Sequence, residues 1–238
     1  MLLQPEAPLL TYSFYALVAW GLSALLVAFR ILAVDEVRDG LFFRLGLLTW
    51  LVVPWYLAMN GYLIDLSMTP PALMRLVVAM ELVVVVFCLS PWGRHVAEKL
   101  PTSLLVGTQV FRLPLEILLY KLAAAHFIPN EMTFAGYNFD IITGVLALPL
   151  WIFLHTAKVP QWIVWGWNCL GSALLLTIVT LAILSFPKPF GMFTPYSTLI
   201  AFHPWVWLPT FLVPIALASH LLLFRKLMLP KEEALPNI

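Results

Sequence analysis

Gln109, Arg112 and Glu116 recur at spacings of three and four residues inside the apolar stretch 104–127. On a helix that spacing puts all three on one face. Pro114 stands between the two charges and removes a donor from the backbone ladder, leaving the Val110 carbonyl without its helical partner. A guanidinium, a carboxyl, a primary amide and a freed carbonyl on one stripe can bind an anion, hold a proton or orient a polar ligand. An ionised group at mid-membrane costs at least ~2.5–3.5 kcal/mol, so such a stripe is read first as a functional site.

Glu81 and Asn168 fall at a similar depth in their own apolar stretches. Two acids and one guanidinium leave the layer one negative charge unless an acid is protonated. Loss of water disfavours an ionised carboxyl and a neighbouring arginine favours it. The expected arrangement pairs Arg112 with one acid and leaves the other free to take a proton or a cation. Arg112 then binds an anionic group or holds Glu116. Glu81 or Glu116 is the protonation site, and Gln109 and Asn168 orient the ligand. The competing reading is structural, with Arg112 and Glu116 stapling packed helices and Glu81 and Asn168 as hydrogen-bonding glue.

A second polar group comprises Asn60, Asp65, Arg75, Lys121, His126, Glu131, Asn138 and Asp140, near helix ends where charged heads reach water cheaply. Its most distinctive stretch is EMTFAGYNFD, 131–140. Asn138 or Asp140 can cap the following helix, and Gly136 can supply a turn. Alternatively this loop folds over the charges as a lid or re-entrant segment, with Asn138 and Asp140 lining an outward vestibule.

The elements that must position these residues are membrane helices. The chain is 62% hydrophobic and 11% charged, against roughly 25% charged in soluble domains, and its mean hydropathy is +0.96. At ~20 apolar residues per crossing, seven spans are expected, at 11–34, 41–64, 72–90, 102–127, 138–157, 161–185 and 204–226. They form a single all-α transmembrane bundle over 1–238, without a soluble domain. DEVRDG, MTPP, SPWGRH, residues 128–137, KVP and FPKPFGMFTPYS mark the breaks. Residues 1–11 hold no Lys or Arg and no cleavage site closes the apolar stretch that follows, so a first span is expected there instead of a removable signal.

Positive charge sets the orientation. Arg30, Arg38, Arg44, Arg94, Lys99, Lys158, Arg225, Lys226 and Lys231 fall on one side; Lys188, Arg75 and Lys121 fall on the other. The expected topology is N-terminus outside and C-terminus inside. Trp92, Trp162, Trp205 and Trp207 lie near span ends, where interfacial indoles are common, and prolines 54, 114, 149, 209 and 214 allow kinks and cavities.

Several chemistries lack their signatures. A net charge of +1 gives no basis for nucleic-acid binding. Cys88 and Cys169 lie in apolar spans without a CxxC partner and read as small buried hydrophobes. No GxSxG, HExxH, P-loop or dinucleotide motif occurs. No cofactor and no metal is expected; a haem alternative would use His126 and His203 on one side and His155 and His220 on the other.

In outline, seven spans with this orientation resemble microbial rhodopsins. Those need a Schiff-base lysine within the final helix, where this chain has only Lys226 at the inner end, so retinal is not expected. The SWEET-type sugar transporters share the length and topology, but the first span here has no proline and the two halves show no similarity. A closer, local resemblance covers about 109–150. QVFRLPLEILLY and PNEMTFAGYNFDIITGVLALP are similar to a pattern in a group of uncharacterised bacterial inner-membrane proteins. Gln109, Phe111, Arg112, Glu116, Met132, Thr133, Phe134, Gly136, Asn138, Phe139 and Asp140 carry it. The resemblance implies a multi-pass protein of the bacterial inner membrane and names no substrate.

The expected function is a small-molecule or ion transporter, proton-linked, or a ligand-binding membrane protein. Its site comprises Arg112, Glu116, Gln109, Glu81, Asn168, Asn138 and Asp140. The partners are the lipid bilayer and a small molecule or ion. The alternatives are a structural subunit docked on another membrane protein or on its own copies, and a membrane-embedded enzyme or haem protein.

Overall fold

The computed structural model describes residues 8–32 and 37–229, and every regular element among them is helical. Lys231, residues 33–36 of the first connection and the side chain of Arg38 lie outside the described residues.

The helices are α1 (Pro8–Ile31), α2 (Val37–Met59), α3 (Ala72–Leu89), α4 (Pro91–Lys99), α5 (Thr102–Thr108), α6 (Arg112–Ala124), α7 (Ile141–Thr156), α8 (Gln161–Ser185) and α9 (Val213–Leu227). A 3₁₀ turn at Gln109–Phe111 joins α5 to α6 one turn ahead of Pro114, where proline deprives the ladder of a donor. A π-helical turn at Leu208–Leu212 leads into α9 and contains Pro209. Its Thr210 carbonyl accepts the Trp50 indole N–H at 2.7 Å, and the Thr210 hydroxyl bonds the Val206 carbonyl at 2.7 Å.

Among the described residues, five helices are long and apolar enough to cross a membrane: Pro8–Ile31, Ala72–Leu89, Thr102–Ala124, Gln161–Ser185 and Leu208–Leu227. The other two expected spans are shorter, with apolar helix only over Phe43–Met59 and Ile141–Thr156. The first turns of α2 carry Arg38 and Asp39, and α7 begins only at Ile141 because the residues before it form a compact loop. At about 1.5 Å per residue α7 is about 24 Å long, short of the ~30 Å hydrocarbon thickness.

SPWGRH, expected as a break, opens α4 instead. The Ser90 hydroxyl accepts the Gly93 N–H at 3.2 Å and Pro91 occupies the first turn. Trp92 and Trp162 are exposed, as interfacial indoles would be, but Trp205 is core, its ring 4.8 Å from that of Phe14. Cys88 is buried, whereas Cys169 is exposed.

The packing centre is α9, which contacts α3, α4, α5 and α8, while α7 contacts α5, α6 and α8. At the end of α9, Arg225 Nη1 donates to the Cys88 and Ser90 carbonyls at 2.6 Å each, and Lys226 Nζ to those of Ala97 and Glu98 at 3.1 Å each. These carbonyls lie at the C-terminal ends of α3 and α4, where partners within the helix run out.

Candidate ligand site

Two glycines let the helices bearing polar groups meet. A Cβ on Gly144 of α7 would overlap the Leu113 backbone of α6. A Cβ on Gly171 of α8 would lie 2.7 Å from His220 Cε1 and 2.8 Å from Thr143 Cγ2. Small residues at such crossings bring backbones close enough for side chains to bond across helices. Gly136 does the same within the loop, since a Cβ there would overlap the Asn130 carbonyl.

Arg112 is the hub and is 1% exposed. Its Nε lies 2.8 Å from Asp140 Oδ2, and its Nη1 lies 3.3 Å from the Gly171 carbonyl and 3.1 Å from His220 Nε2. A guanidinium only donates, so His220 Nε2 accepts and the ring proton sits on Nδ1. That proton is donated to Asn168 Oδ1 at 2.7 Å, while Asn168 Nδ2 donates to the His220 carbonyl at 3.1 Å. Asp140 Oδ1 receives the Thr143 hydroxyl at 3.1 Å.

Glu116 is held separately. Asn138 Nδ2 lies 2.8 Å from each Glu116 carboxyl oxygen and 3.1 Å from the Met132 carbonyl. Asn138 Oδ1 accepts the Asp140 amide at 3.1 Å, so the two loop residues are locked together. Asp140 does stand at the start of α7, but its side chain makes no capping bond to the helix backbone. The 131–140 loop therefore folds onto the α6 charges and delivers the acid that pairs with Arg112. Neither Glu116 nor Glu81 takes that part.

Gln109 Nε2 donates to the Ala216 carbonyl at 3.0 Å, and its buried Oε1 has no partner. Both Glu81 oxygens and Arg112 Nη2 are also buried without a hydrogen-bond partner among the described residues. Asp65 and Asn60, from the second polar group, bond locally instead of joining the network. Asp65 accepts the Ser67 amide at 2.8 Å and hydroxyl at 2.9 Å, which hold its carboxyl below the usual range, and Asn60 bonds the Tyr56 carbonyl at 2.8 Å.

His220, which the sequence suggests only as a haem ligand near an inner helix end, sits instead at Arg112. Both its ring nitrogens are engaged within this network. Thr143 and Gly171 join the network without any mark in the sequence. An imidazole inside an apolar span is itself the signal that flags His220.

A cavity of about 750 Å³ opens beside this network, walled by α3, α6, α8 and the segment 208–216. Its charged or polar lining side chains, among the described residues, are Arg75, Glu81, Arg112, Glu116 and Asp140; the remainder are apolar. The volume lies within the ~300–1,000 Å³ of small-molecule sites, which combine apolar walls with a few polar groups. A smaller cavity of about 370 Å³ lies among α1, α2, α3, α5 and α9. Its hydroxyls, Thr108 and Ser219, bond back to the Leu104 and Ile215 carbonyls, so they offer a ligand little.

Residues 70–228 match the model of a family described as a domain of unknown function, DUF8737. No curated protein matches the chain. No solved structure matches it either.

Proposed function

The chain belongs to the DUF8737 family, and on that premise we propose that it is a multi-pass membrane protein that binds a small molecule at mid-membrane, as a proton-linked transporter or a membrane-embedded receptor site. The matched stretch contains every residue of the buried network and all the charged walls of the large cavity.

One observation carries the reading. Arg112 Nη2 is buried without a partner, on a residue that lines a cavity of about 750 Å³. A purely structural staple would satisfy its donors, because an orphaned buried donor costs about 1–3 kcal/mol and more when charged. In this proposal the apolar part of α2, Phe43–Met59, and α7 are the shorter two of seven crossings, with the N-terminus outside and the C-terminus inside the bacterial inner membrane. Exposed Lys158, two residues past the end of α7, and the basic end of α9 support that orientation.

The test is native mass spectrometry of the purified chain. Wild type should retain a stoichiometric small-molecule adduct, and Ala182→Trp, which fills the cavity from α8, should lose it while eluting as a folded protein. A wild type without any adduct, indistinguishable from Ala182→Trp, would sink the reading. It would favour the structural-subunit alternative, which has its own support in the bonds tying α6, α7, α8 and α9 together.

A further inference from the structure

We infer that the ligand of the large cavity is an uncharged molecule with a long apolar body and an oxygen acceptor at its head, such as a ketone, ester or quinone-type carbonyl. The inference deepens the proposed function and rests on it.

The head group follows from the donor left over. Arg112 directs Nε to Asp140 and Nη1 to the Gly171 carbonyl and His220, so Nη2 is what remains for a ligand. A guanidinium N–H can only donate, and its partner must be an acceptor.

The absence of ligand charge follows from the balance around that donor. Asp140, at 2.8 Å, already matches the charge of Arg112, and Glu116 follows one turn along the same helix. A carboxylate or phosphate would bring a further negative charge to a guanidinium already neutralised, between two acids and against apolar walls. Its desolvation would not be recovered there. A neutral carbonyl gives up far less hydration and accepts the same N–H.

A cation fits no better. Among the described residues, no group of three or more His, Cys, Asp or Glu side chains is placed to hold a metal ion. An organic cation would meet Glu81, Glu116 and Asp140 as well as Arg112 and Arg75, but a quaternary or protonated ammonium has no acceptor for the Nη2 N–H. Glu81 also lines the α3 wall and both its buried oxygens lack a partner, so it is assigned the second polar contact, suited to a hydroxyl on the same ligand. The apolar walls accommodate the body, and its burial supplies most of the affinity.

The experiment offers the 238-residue chain in nanodiscs four probes sharing a hexadecyl-type chain: methyl palmitate, palmitate, hexadecyltrimethylammonium and hexadecane. Native mass spectrometry reads which adduct survives equimolar competition. Methyl palmitate should exceed each of the other three by about tenfold or more, the value of one hydrogen bond to a charged donor. Arg112→Gln should bring it down to the level of hexadecane. The wild-type ranking stands alone if that variant does not fold. Dominance of palmitate or of the ammonium probe would overturn the uncharged class while leaving the cavity as a binding site. Equal retention of all four would overturn the role of Nη2. If no probe binds and Ala182→Trp changes nothing, the proposed function fails, and this inference with it.

Discussion

Arg112 Nε stands 2.8 Å from Asp140 Oδ2, so the charge that opens α6 is balanced by the residue that precedes α7 and not by an acid on its own helix. The pair joins two stretches of chain that meet only because Gly144 lets α7 lie against the Leu113 backbone. Both side chains are almost wholly buried, so removing one partner strands the other. Asp140→Asn should destabilise the chain by about 3–5 kcal/mol. Asp140→Asn with Arg112→Met should lose clearly less than the sum of the single changes. Unfolding titrations in mixed detergent micelles measure both, and strict additivity would mean that the two charges do not interact.

Glu116 is bonded through one amide nitrogen of Asn138, a contact that a glutamine can keep through its own carbonyl oxygen. Ligand retention or uptake should therefore vary with pH in wild type and become flat in Glu116→Gln. The same pH profile in both proteins would remove Glu116 as the proton-carrying group.

Much of the helical frame is legible because punctuation marks it. The expected span 161–185 coincides with α8, bounded by Pro160 and by Phe186 ahead of Pro187, and the expected 72–90 differs from α3 by one residue. The burial of Gln109, Arg112 and Glu116 on one face also follows from spacing. The bonding partners do not. Whether Asn138 and Asp140 cap α7 locally or reach α6 depends on how the loop packs, and both outcomes obey the same local preferences. Counting from span ends places His220 near the inner side, whereas the π turn at Leu208–Leu212 and the position of α8 decide which residue faces Arg112. The π turn has no pattern in the sequence beyond Pro209.

Gly171 offers a sharper test of the convergence. Gly171→Ala would press a methyl group against His220 and Thr143 and displace the carbonyl that Arg112 uses, costing about 1–3 kcal/mol as an overpacking change. At Gly166, on the same helix, a methyl group would find nothing within 4 Å, and Gly166→Ala should be neutral or slightly stabilising. Equal melting shifts for the two variants would contradict the close approach.

His203 lies outside the membrane-crossing helices, with Nε2 2.9 Å from the Tyr15 hydroxyl and Nδ1 buried without a partner. Burial holds its pKa below the ordinary 6.5, so the unfolded chain takes up the proton more readily than the folded one. Stability should be level above about pH 6.5 and decline as pH falls from there toward the folded-state value. His203→Phe should flatten that decline between about pH 7 and pH 5, read as melting temperature in detergent. An unaltered slope would assign the acid sensitivity to other groups.

Arg225 and Lys226 serve two purposes at once. They belong to the positive charge from which the orientation is argued, and they also close the carbonyl ends of α3 and α4. Reversing their charge to probe insertion would unfasten the α3–α4 corner at the same time, so a changed insertion pattern could not be separated from a broken latch. Exposed Lys158 is the cleaner lever for that experiment.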